Sequence, residues 1–82
     1  MKNIILAKFG HNLRMLRSAA GLSQEELAYR CSMHRTYLGG IERGERNLTL
    51  VNIISLAQGL GCSIEALFSG INISSSTVDE ED

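Results

Sequence analysis

Residues 23–44 constrain the fold of this chain more than any other segment, because their pattern is typical of two short helices joined by a tight turn. Ser23 and Glu26 have the spacing of a capping box, in which the serine oxygen accepts from a free backbone N–H group and the glutamate reaches back to the cap. Apolar residues at helical spacing predict the buried faces, and these are Leu27, Ala28, Cys31, Met33, Leu38 and Ile41. The side chains predicted to face solvent are Arg35, Thr36 and Arg43. The segment therefore predicts a packed helix pair with one exposed, cationic face.

Three further helices are predicted around this pair. The first covers residues 3–20 and ends at Gly21, and the fourth begins at an N-cap, Thr49, after a polar loop over residues 43–47. Ser63 is predicted to cap a short fifth helix. The stripes expected to face the core are Leu6, Phe9, Leu13, Leu16 and Ala20 in the first helix, Leu50, Ile53, Ile54, Ala57 and Leu60 in the fourth, and Ile64, Leu67 and Phe68 in the fifth. With no strand pattern and no proline, the chain is predicted to form a compact, all-α, five-helix domain.

The exposed face of the third predicted helix has the side chains that DNA recognition requires. A helix fits the major groove, which is about 12 Å wide, and its first turn reaches base edges while flanking groups hold phosphates. Arg35 and Thr36 lie in that first turn, where Arg can donate twice to guanine and Thr can touch a thymine methyl group. Arg46, in the following loop, is a third candidate base contact. The candidate phosphate contacts are Arg17, Gln24, Tyr37, Arg43 and Asn47.

Several residues of this region have two open interpretations. Two mid-helix glycines cost about 1 kcal/mol each relative to alanine, so Gly39 and Gly40 predict a close approach, either of the backbone to the groove or of the two motif helices to each other. His34 either caps or packs at the start of the helix or contacts DNA. Tyr37 either reaches a phosphate or is half-buried. The alternative partners of Arg43 and Arg46 are Glu42 and Glu45, in surface ion pairs.

The charge distribution separates a basic body from an acidic end. The formal net charge of the chain is −1, yet four of its nine acids stand at positions 79–82, so residues 1–78 hold eight Lys and Arg against five Asp and Glu. The run Ser74-Ser75-Ser76-Thr77 has no apolar period. We therefore predict a DNA-binding domain over residues 1–71 and a disordered acidic tail over residues 72–82, which serves solubility or competes with DNA.

Cysteine usage and apolar runs predict a cytoplasmic protein without metal, cofactor or membrane contact. Cys31 and Cys62 stand in apolar stretches, and the only early apolar run is too short for a signal-peptide core, so both are expected to be reduced core thiols. Cys31 and His34 would give a metal only two ligands, and His11 adds no recognisable zinc spacing. No run approaches the roughly 20 residues of a membrane span.

The C-terminal end holds more apolar side chains than one small core requires. For Leu60 and Leu67 we expect a role in sealing the fourth helix against the first. For Ile64, Phe68 and Ile71 a homodimer interface is favoured, with the same sealing role as the alternative. A second copy would also stabilise so short a chain, which buries only about 60 to 65% of its unfolded surface.

From residue 9 to residue 68 the sequence resembles the Cro/C1-type (XRE) helix-turn-helix family. The positions that carry the resemblance are Gln24, Leu27, Ala28, Met33, Leu38 and the ending Ile41-Glu42-Arg43-Gly44. Ser32 stands where that family more usually has glycine at the turn. The resemblance implies a lambda repressor-like DNA-binding fold.

Residues 34–47 are similar, more narrowly, to the controller proteins of restriction-modification systems. That resemblance implies a cytoplasmic homodimer that binds palindromic operator half-sites in double-stranded DNA, activates transcription at low concentration and represses it at higher occupancy. The residues that match DNA-contacting positions of the family are Arg35, Thr36, Arg43, Arg46 and Asn47, with Tyr37 near the operator backbone.

Two other interpretations compete with a controller protein. Phage repressors and antitoxin-like regulators share most of the same signature. A protein-interaction module would instead use the basic face and the apolar C-terminal residues for a partner such as RNA polymerase or a toxin. An enzyme is disfavoured because the sequence has no nucleophile–base pair, paired carboxylates or phosphate-cradling loop.

Overall fold

The computed structural model describes residues 3–72, and these form five helices without a strand. The helices are α1 (Ile4–Ala19), α2 (Gln24–Arg30), α3 (Arg35–Glu42), α4 (Leu50–Leu60) and α5 (Ile64–Leu67). This confirms the predicted all-α, five-helix architecture. The predicted acidic tail lies outside the described residues, except for Asn72.

Side-chain caps mark the helix starts, and the three caps predicted from the sequence are confirmed. Ser23 Oγ accepts from the Glu26 backbone N–H at 3.0 Å, and a Glu26 carboxylate oxygen accepts from the Ser23 backbone N–H at 2.7 Å. Thr49 Oγ1 accepts from the Asn52 N–H at 3.1 Å at the start of α4, and Ser63 Oγ accepts from the Ala66 N–H at 3.2 Å at the start of α5. The cap interpretation of His34 is wrong, because its exposed side chain makes no capping hydrogen bond although the residue occupies the N-cap position of α3.

The core lies where α1 crosses α3 and α5, with α2 and α4 closing the other side. Its largest fully buried side chains are Leu13, Leu27, Leu38, Ile41, Leu56 and Leu67. The inward faces predicted for the α2–α3 pair are buried as expected, apart from Met33, which is half-buried. This core holds α3 by one side only and leaves its opposite side exposed.

Helix α4 packs three of its five predicted inward residues, Ile53, Ala57 and Leu60, in or against the core, but the prediction is wrong for Leu50 and Ile54. Leu50 is 71% exposed and Ile54 is 38% exposed, whereas Leu56 is fully buried. The exposed side of the helix is also partly apolar, because it includes Val51, which is 70% exposed. A helical spacing rule finds an apolar stripe but cannot choose between two apolar stripes on one helix.

A close approach of α1 to α3, which the sequence pattern does not reveal, depends on Gly10. A Cβ atom at Gly10 would overlap the carbonyl oxygen of Ile41 and lie 2.6 Å from that of Glu42. Because both obstacles are backbone atoms, a side chain at position 10 could not be accommodated by a rotamer change. Gly10 therefore sets the distance between the first helix and the end of α3.

Within residues 3–72, no helix is long and apolar enough to cross a membrane, and no three side chains of suitable type gather into a metal site. Cys31 is buried and Cys62 is half-buried, and neither forms a disulfide. Burial raises the pKa of both thiols.

Candidate nucleic-acid interface

A tight turn at Ser32 sets the angle between α2 and α3. Ser32 has a φ of +55°, the left-handed conformation that favours glycine. The turn is closed by the backbone, since the Met33 N–H donates to the Ala28 carbonyl at 3.0 Å and the Ser32 N–H to that of Tyr29 at 3.2 Å. A serine is thus accommodated in a conformation that favours glycine.

Helix α3 presents its first turn to solvent. Leu38 and Ile41 are buried in the core, while Arg35 and Thr36 are both exposed. Among residues 3–72, the Arg35 and Thr36 side chains form no hydrogen bond or ion pair. Their donors are therefore available to a ligand without breaking a contact in the folded chain.

Of the two interpretations that the sequence left open for Tyr37, the structure confirms half-burial. Its side chain is half-buried, and its hydroxyl accepts a hydrogen bond from Asn52 Nδ2 at 3.1 Å. The same hydroxyl donates to the Asn47 carbonyl at 3.3 Å. Tyr37 therefore ties α3 to both the following loop and α4, close to the predicted contact Asn47, whose side chain is exposed.

The loop arginines differ in their partners. Arg43 Nε lies 3.0 Å from Glu45 Oε1, and the two side chains are 59% and 52% exposed. An exposed pair of this kind contributes little to stability, so the Arg43 guanidinium can exchange Glu45 for a phosphate at small cost. Arg46 is exposed and forms no ion pair within the described part of the chain.

Arg17, a predicted phosphate contact, points into the fold. Its Nε atom lies 2.6 Å from Glu42 Oε2, its Nη2 atom donates to Glu42 Oε1 at 3.1 Å, and its Nη1 atom donates to the Leu22 carbonyl at 2.8 Å. The Arg17 side chain is 14% exposed and that of Glu42 is 4% exposed. Hydrogen bonding to Glu42 raises the pKa of the Arg17 guanidinium. Arg17 is therefore not among the DNA contacts that we propose below.

Glu42 also binds Gln24, at the start of α2. Gln24 Nε2 donates to Glu42 Oε1 at 2.9 Å. The surface ion pairs that the sequence allowed between Glu42 and Arg43 or Arg46 do not form, because Glu42 turns inward to α1 and α2. Its partners Arg17 and Gln24 precede it by 25 and 18 positions, so no local pattern marks this cluster.

The two glycines of α3 lie beneath side chains from neighbouring segments. A Cβ atom at Gly39 would lie 3.2 Å from Arg43 Nη1 and 3.7 Å from Gln24 Nε2. A Cβ atom at Gly40 would lie 2.8 Å from Arg46 Cγ. The sequence predicted a close approach at these glycines either of the backbone to a DNA groove or of α2 to α3. It did not predict that the Arg46 side chain crosses α3 at Gly40.

The apolar residues predicted for a dimer interface are partly core and partly surface. Phe68 stacks edge-on against Phe9, with ring centroids 5.3 Å apart, yet it is 38% exposed. Ile64 is 42% exposed, and Ile71 is half-buried against the core. Asn12 holds this end of the chain, since its Nδ2 atom donates to the carbonyls of Leu67 and Ser69 at 2.9 and 2.7 Å.

A capped helix, a tight turn and a second helix exposed along its polar side define a helix-turn-helix domain. Residues 8–68 match the family described as "Helix-turn-helix domain". The chain belongs to this family, as its motif residues predicted.

Within the family, the chain is similar to control proteins of restriction-modification systems. It is 47% identical to control protein C.BamHI of Bacillus amyloliquefaciens over 62 residues, which cover 74% of this chain and 76% of that protein. It is 43% identical to control protein C.MunI of a Mycoplasma species over 70 residues, covering 84% and 95% of the two chains. The crystal structure of the controller protein C.AhdI of Aeromonas hydrophila shares 54% identity, with a TM-score of 0.75 over 77% of this chain and 96% of that one. The chain is thus a DNA-binding regulator of the helix-turn-helix type.

Proposed function

We propose that the protein is a cytoplasmic, sequence-specific transcription regulator that controls a restriction-modification system as a homodimer. The observation that carries this proposal is the first turn of α3, where Arg35 and Thr36 are exposed and make no contact that DNA binding would have to break. The identity to control proteins supports the restriction-modification assignment.

The proposed contacts divide by the chemistry of each group. Arg35 and Thr36 read base edges in the major groove, and Arg46 adds a base contact from the loop. Arg43 and Asn47 hold phosphates, which set the register of the protein on the duplex.

Two further phosphate contacts are tied to the fold by hydrogen bonds. The Gln24 Nε2 group donates one hydrogen to Glu42 and keeps the second, with the free N–H groups of the α2 N-terminus, for a phosphate. The Tyr37 hydroxyl has one proton, which it donates to the Asn47 carbonyl, so it would exchange that bond for a phosphate while Asn52 Nδ2 continues to donate to its oxygen.

The first experiment is selection from random duplexes, followed by affinity measurements on the selected site and on random DNA. Arg35→Ala is expected to weaken binding to the selected site by about 1 to 3 kcal/mol and to relax the preference at one base pair. The matched control is Arg14→Ala, which removes the same charge from an exposed position of α1 and should leave the ratio of selected to random affinity unchanged. Equal losses on both DNAs for Arg35→Ala would exclude it from base reading.

Salt dependence separates this proposal from a protein-interaction module. Binding that neutralises phosphates releases counterions, so affinity must fall steeply between about 50 and 200 mM salt. An affinity that is flat over that range would contradict the proposed DNA function.

A second copy of the chain is proposed to cover Ile64, Phe68 and Ile71. Partly exposed apolar side chains at the C-terminal end support this interface, because such surface is buried at the core of homodimer contacts. The two recognition helices would then enter successive major grooves about 34 Å apart, which requires an approximately palindromic operator.

Ile64→Glu tests the interface with little disturbance of the core, since Ile64 is 42% exposed. It is expected to yield monomers by gel filtration, because a charge in a closed apolar contact has no partner. Met15→Glu, at a 56% exposed position of α1, is the control and should remain dimeric. A dimeric Ile64→Glu variant would refute this placement.

Regulation of transcription needs more than operator binding. We propose that the homodimer activates at low occupancy through contact with RNA polymerase and represses when a second site fills. A reporter driven by the selected operator should therefore rise and then fall as the concentration of the protein is increased, whereas a monotonic fall would indicate a simple repressor.

A further inference from the structure

Gly40 lies directly beneath the side chain of Arg46. A Cβ atom built on Gly40 would lie 2.8 Å from Arg46 Cγ, 3.2 Å from Nε and 3.6 Å from Cδ. The first of these distances is shorter than real Cβ contacts allow, and the atom it involves is in the stem of the side chain. An alanine at position 40 would therefore force Arg46 into another rotamer or move the loop that carries it.

The loop has little freedom to move. The Glu45 N–H donates to the Gly40 carbonyl at 2.9 Å, and the Gly44 N–H donates to that of Ile41 at 3.0 Å. Gly44 has a φ of +76°, and a Cβ atom there would lie 2.8 Å from the Cα atom of Ala7 in α1. Because the loop is bound to α3 on one side and packed on α1 on the other, a clash at Gly40 acts on the Arg46 side chain.

We propose that Gly40 is a positioning residue for Arg46 in DNA recognition. The absence of a side chain at position 40 creates a channel across α3 in which the Arg46 stem lies, so the guanidinium is already oriented when the protein meets the duplex. A pre-ordered side chain gives up less conformational freedom on binding than one that must be ordered at that moment. This inference rests on the proposed function, because it assigns a determinant of specificity to the same site.

The test is a double-mutant cycle between the two positions, measured as affinity for a selected operator and for random duplex. Gly40→Ala is expected to lower the ratio of the two affinities by about 3- to 10-fold, the cost of ordering one long side chain. In the Arg46→Ala background the same glycine substitution should have no effect, because there is no longer an Arg46 stem to displace.

Gly39→Ala is the matched control. It makes the same change one position earlier in α3, but there the added Cβ atom meets the flexible end of Arg43, at 3.2 Å from Nη1, and lies at ordinary contact distance from Gln24, 3.7 Å from Nε2. The affinity ratio of this variant should stay within about twofold of that of the unmodified protein. Circular dichroism of each variant shows that the helices are retained.

One measurement does not depend on DNA or on the folding of a variant. In the unmodified protein, nuclear Overhauser contacts should connect the Gly40 α-protons to the Arg46 γ-protons, because the channel brings these groups together. Their absence would overturn the proposal directly.

The remaining outcomes are distinct. If the unmodified protein shows no preference for any selected duplex, the proposed function fails and the role of Gly40 in recognition falls with it. If the protein selects an operator and Gly40→Ala binds it equally well, only the positioning role is overturned. If the loss persists in the Arg46→Ala background, the added methyl group blocks the DNA itself, which also overturns the positioning role.

Discussion

Replacing Glu42 by glutamine should remove a large part of the stability of this domain. The Glu42 carboxylate accepts three hydrogen bonds, from Arg17 Nε at 2.6 Å, Arg17 Nη2 at 3.1 Å and Gln24 Nε2 at 2.9 Å, and its side chain is 4% exposed. A neutral amide leaves the Arg17 guanidinium buried without a counter-charge, a change that costs about 3 to 5 kcal/mol. The whole domain is expected to have only about 4 to 12 kcal/mol of unfolding free energy.

The predicted loss is measured by urea denaturation at fixed protein concentration. Glu42→Gln should lower the midpoint with an unchanged slope, and a loss of about 3 kcal/mol corresponds to a fall in Tm of about 12 to 24 °C for a domain of this size. The effect should persist at high salt, because buried pairs are screened much less than exposed ones.

Glu45→Gln is the matched control, since it makes the same substitution in an exposed ion pair. Glu45 lies 3.0 Å from Arg43, but both side chains are more than half exposed, so a loss below about 1 kcal/mol is expected. The double variant Arg17→Met/Glu42→Leu should recover much of the stability lost in Glu42→Gln, because it removes both buried charges. Similar losses of unfolding free energy for Glu42→Gln and Glu45→Gln would refute the conclusion that the buried Arg17–Glu42 ion pair stabilises the fold.

Three further substitutions test local features of the fold. Ser32→Gly should raise the unfolding free energy by about 1 kcal/mol in urea denaturation, because φ is +55° at this turn, and a loss would show that the serine side chain is needed. Gly10→Ala should lower the unfolding free energy by about 1 to 3 kcal/mol, since its methyl group would overlap the Ile41 carbonyl. A rise in the unfolding free energy, as expected for a simple glycine-to-alanine change in a helix, would contradict that contact. Hydrogen bonds with Ser23 hold the pKa of Glu26 below its usual value, so Glu26 stabilises the fold above the ordinary glutamate pKa of about 4.3, and this contribution is lost as pH falls through the lowered value. The difference in urea midpoint between the unmodified protein and Glu26→Gln should therefore be constant from about pH 7 to 5 and shrink in more acidic solution; a difference that is constant throughout would exclude the carboxylate as its source.

Features encoded within a few neighbouring residues could be predicted from the sequence. The Ser23 capping box spans four positions, and the exposed first turn of α3 follows from the spacing of Leu38 and Ile41. Both depend on backbone geometry that repeats with a fixed period, so the local pattern suffices. The helices and the outward direction of Arg35 were predictable for this reason.

Features that depend on two distant segments could not be predicted in this way. The Glu42 cluster joins α1, α2 and α3, and Gly10 was recognisable only after α1 and α3 were placed against each other. The exposed face of α4 is a related case, because Leu50 and Leu56 are equally apolar and only the position of α2 and α5 decides which one is buried. In each case the deciding contact is tertiary.

The burial of Arg17 with Glu42 also affects the electrostatics of the side of α3 proposed to face DNA. Glu42 is the only acid within α3, and an exposed carboxylate there would repel phosphates from the helix that we propose enters the groove. Its inward turn pairs that charge with a cation from α1, so a buried contact that holds three helices together also removes a repulsive group from the surface. The positive field at the exposed face then comes from Arg35 and Arg46, which have no acidic partner among the described residues. Because Arg17 and Glu42 are 25 positions apart, no local pattern in the sequence predicts that Arg17 neutralises the carboxylate of α3 while Arg35 and Arg46 remain available for the proposed DNA contacts.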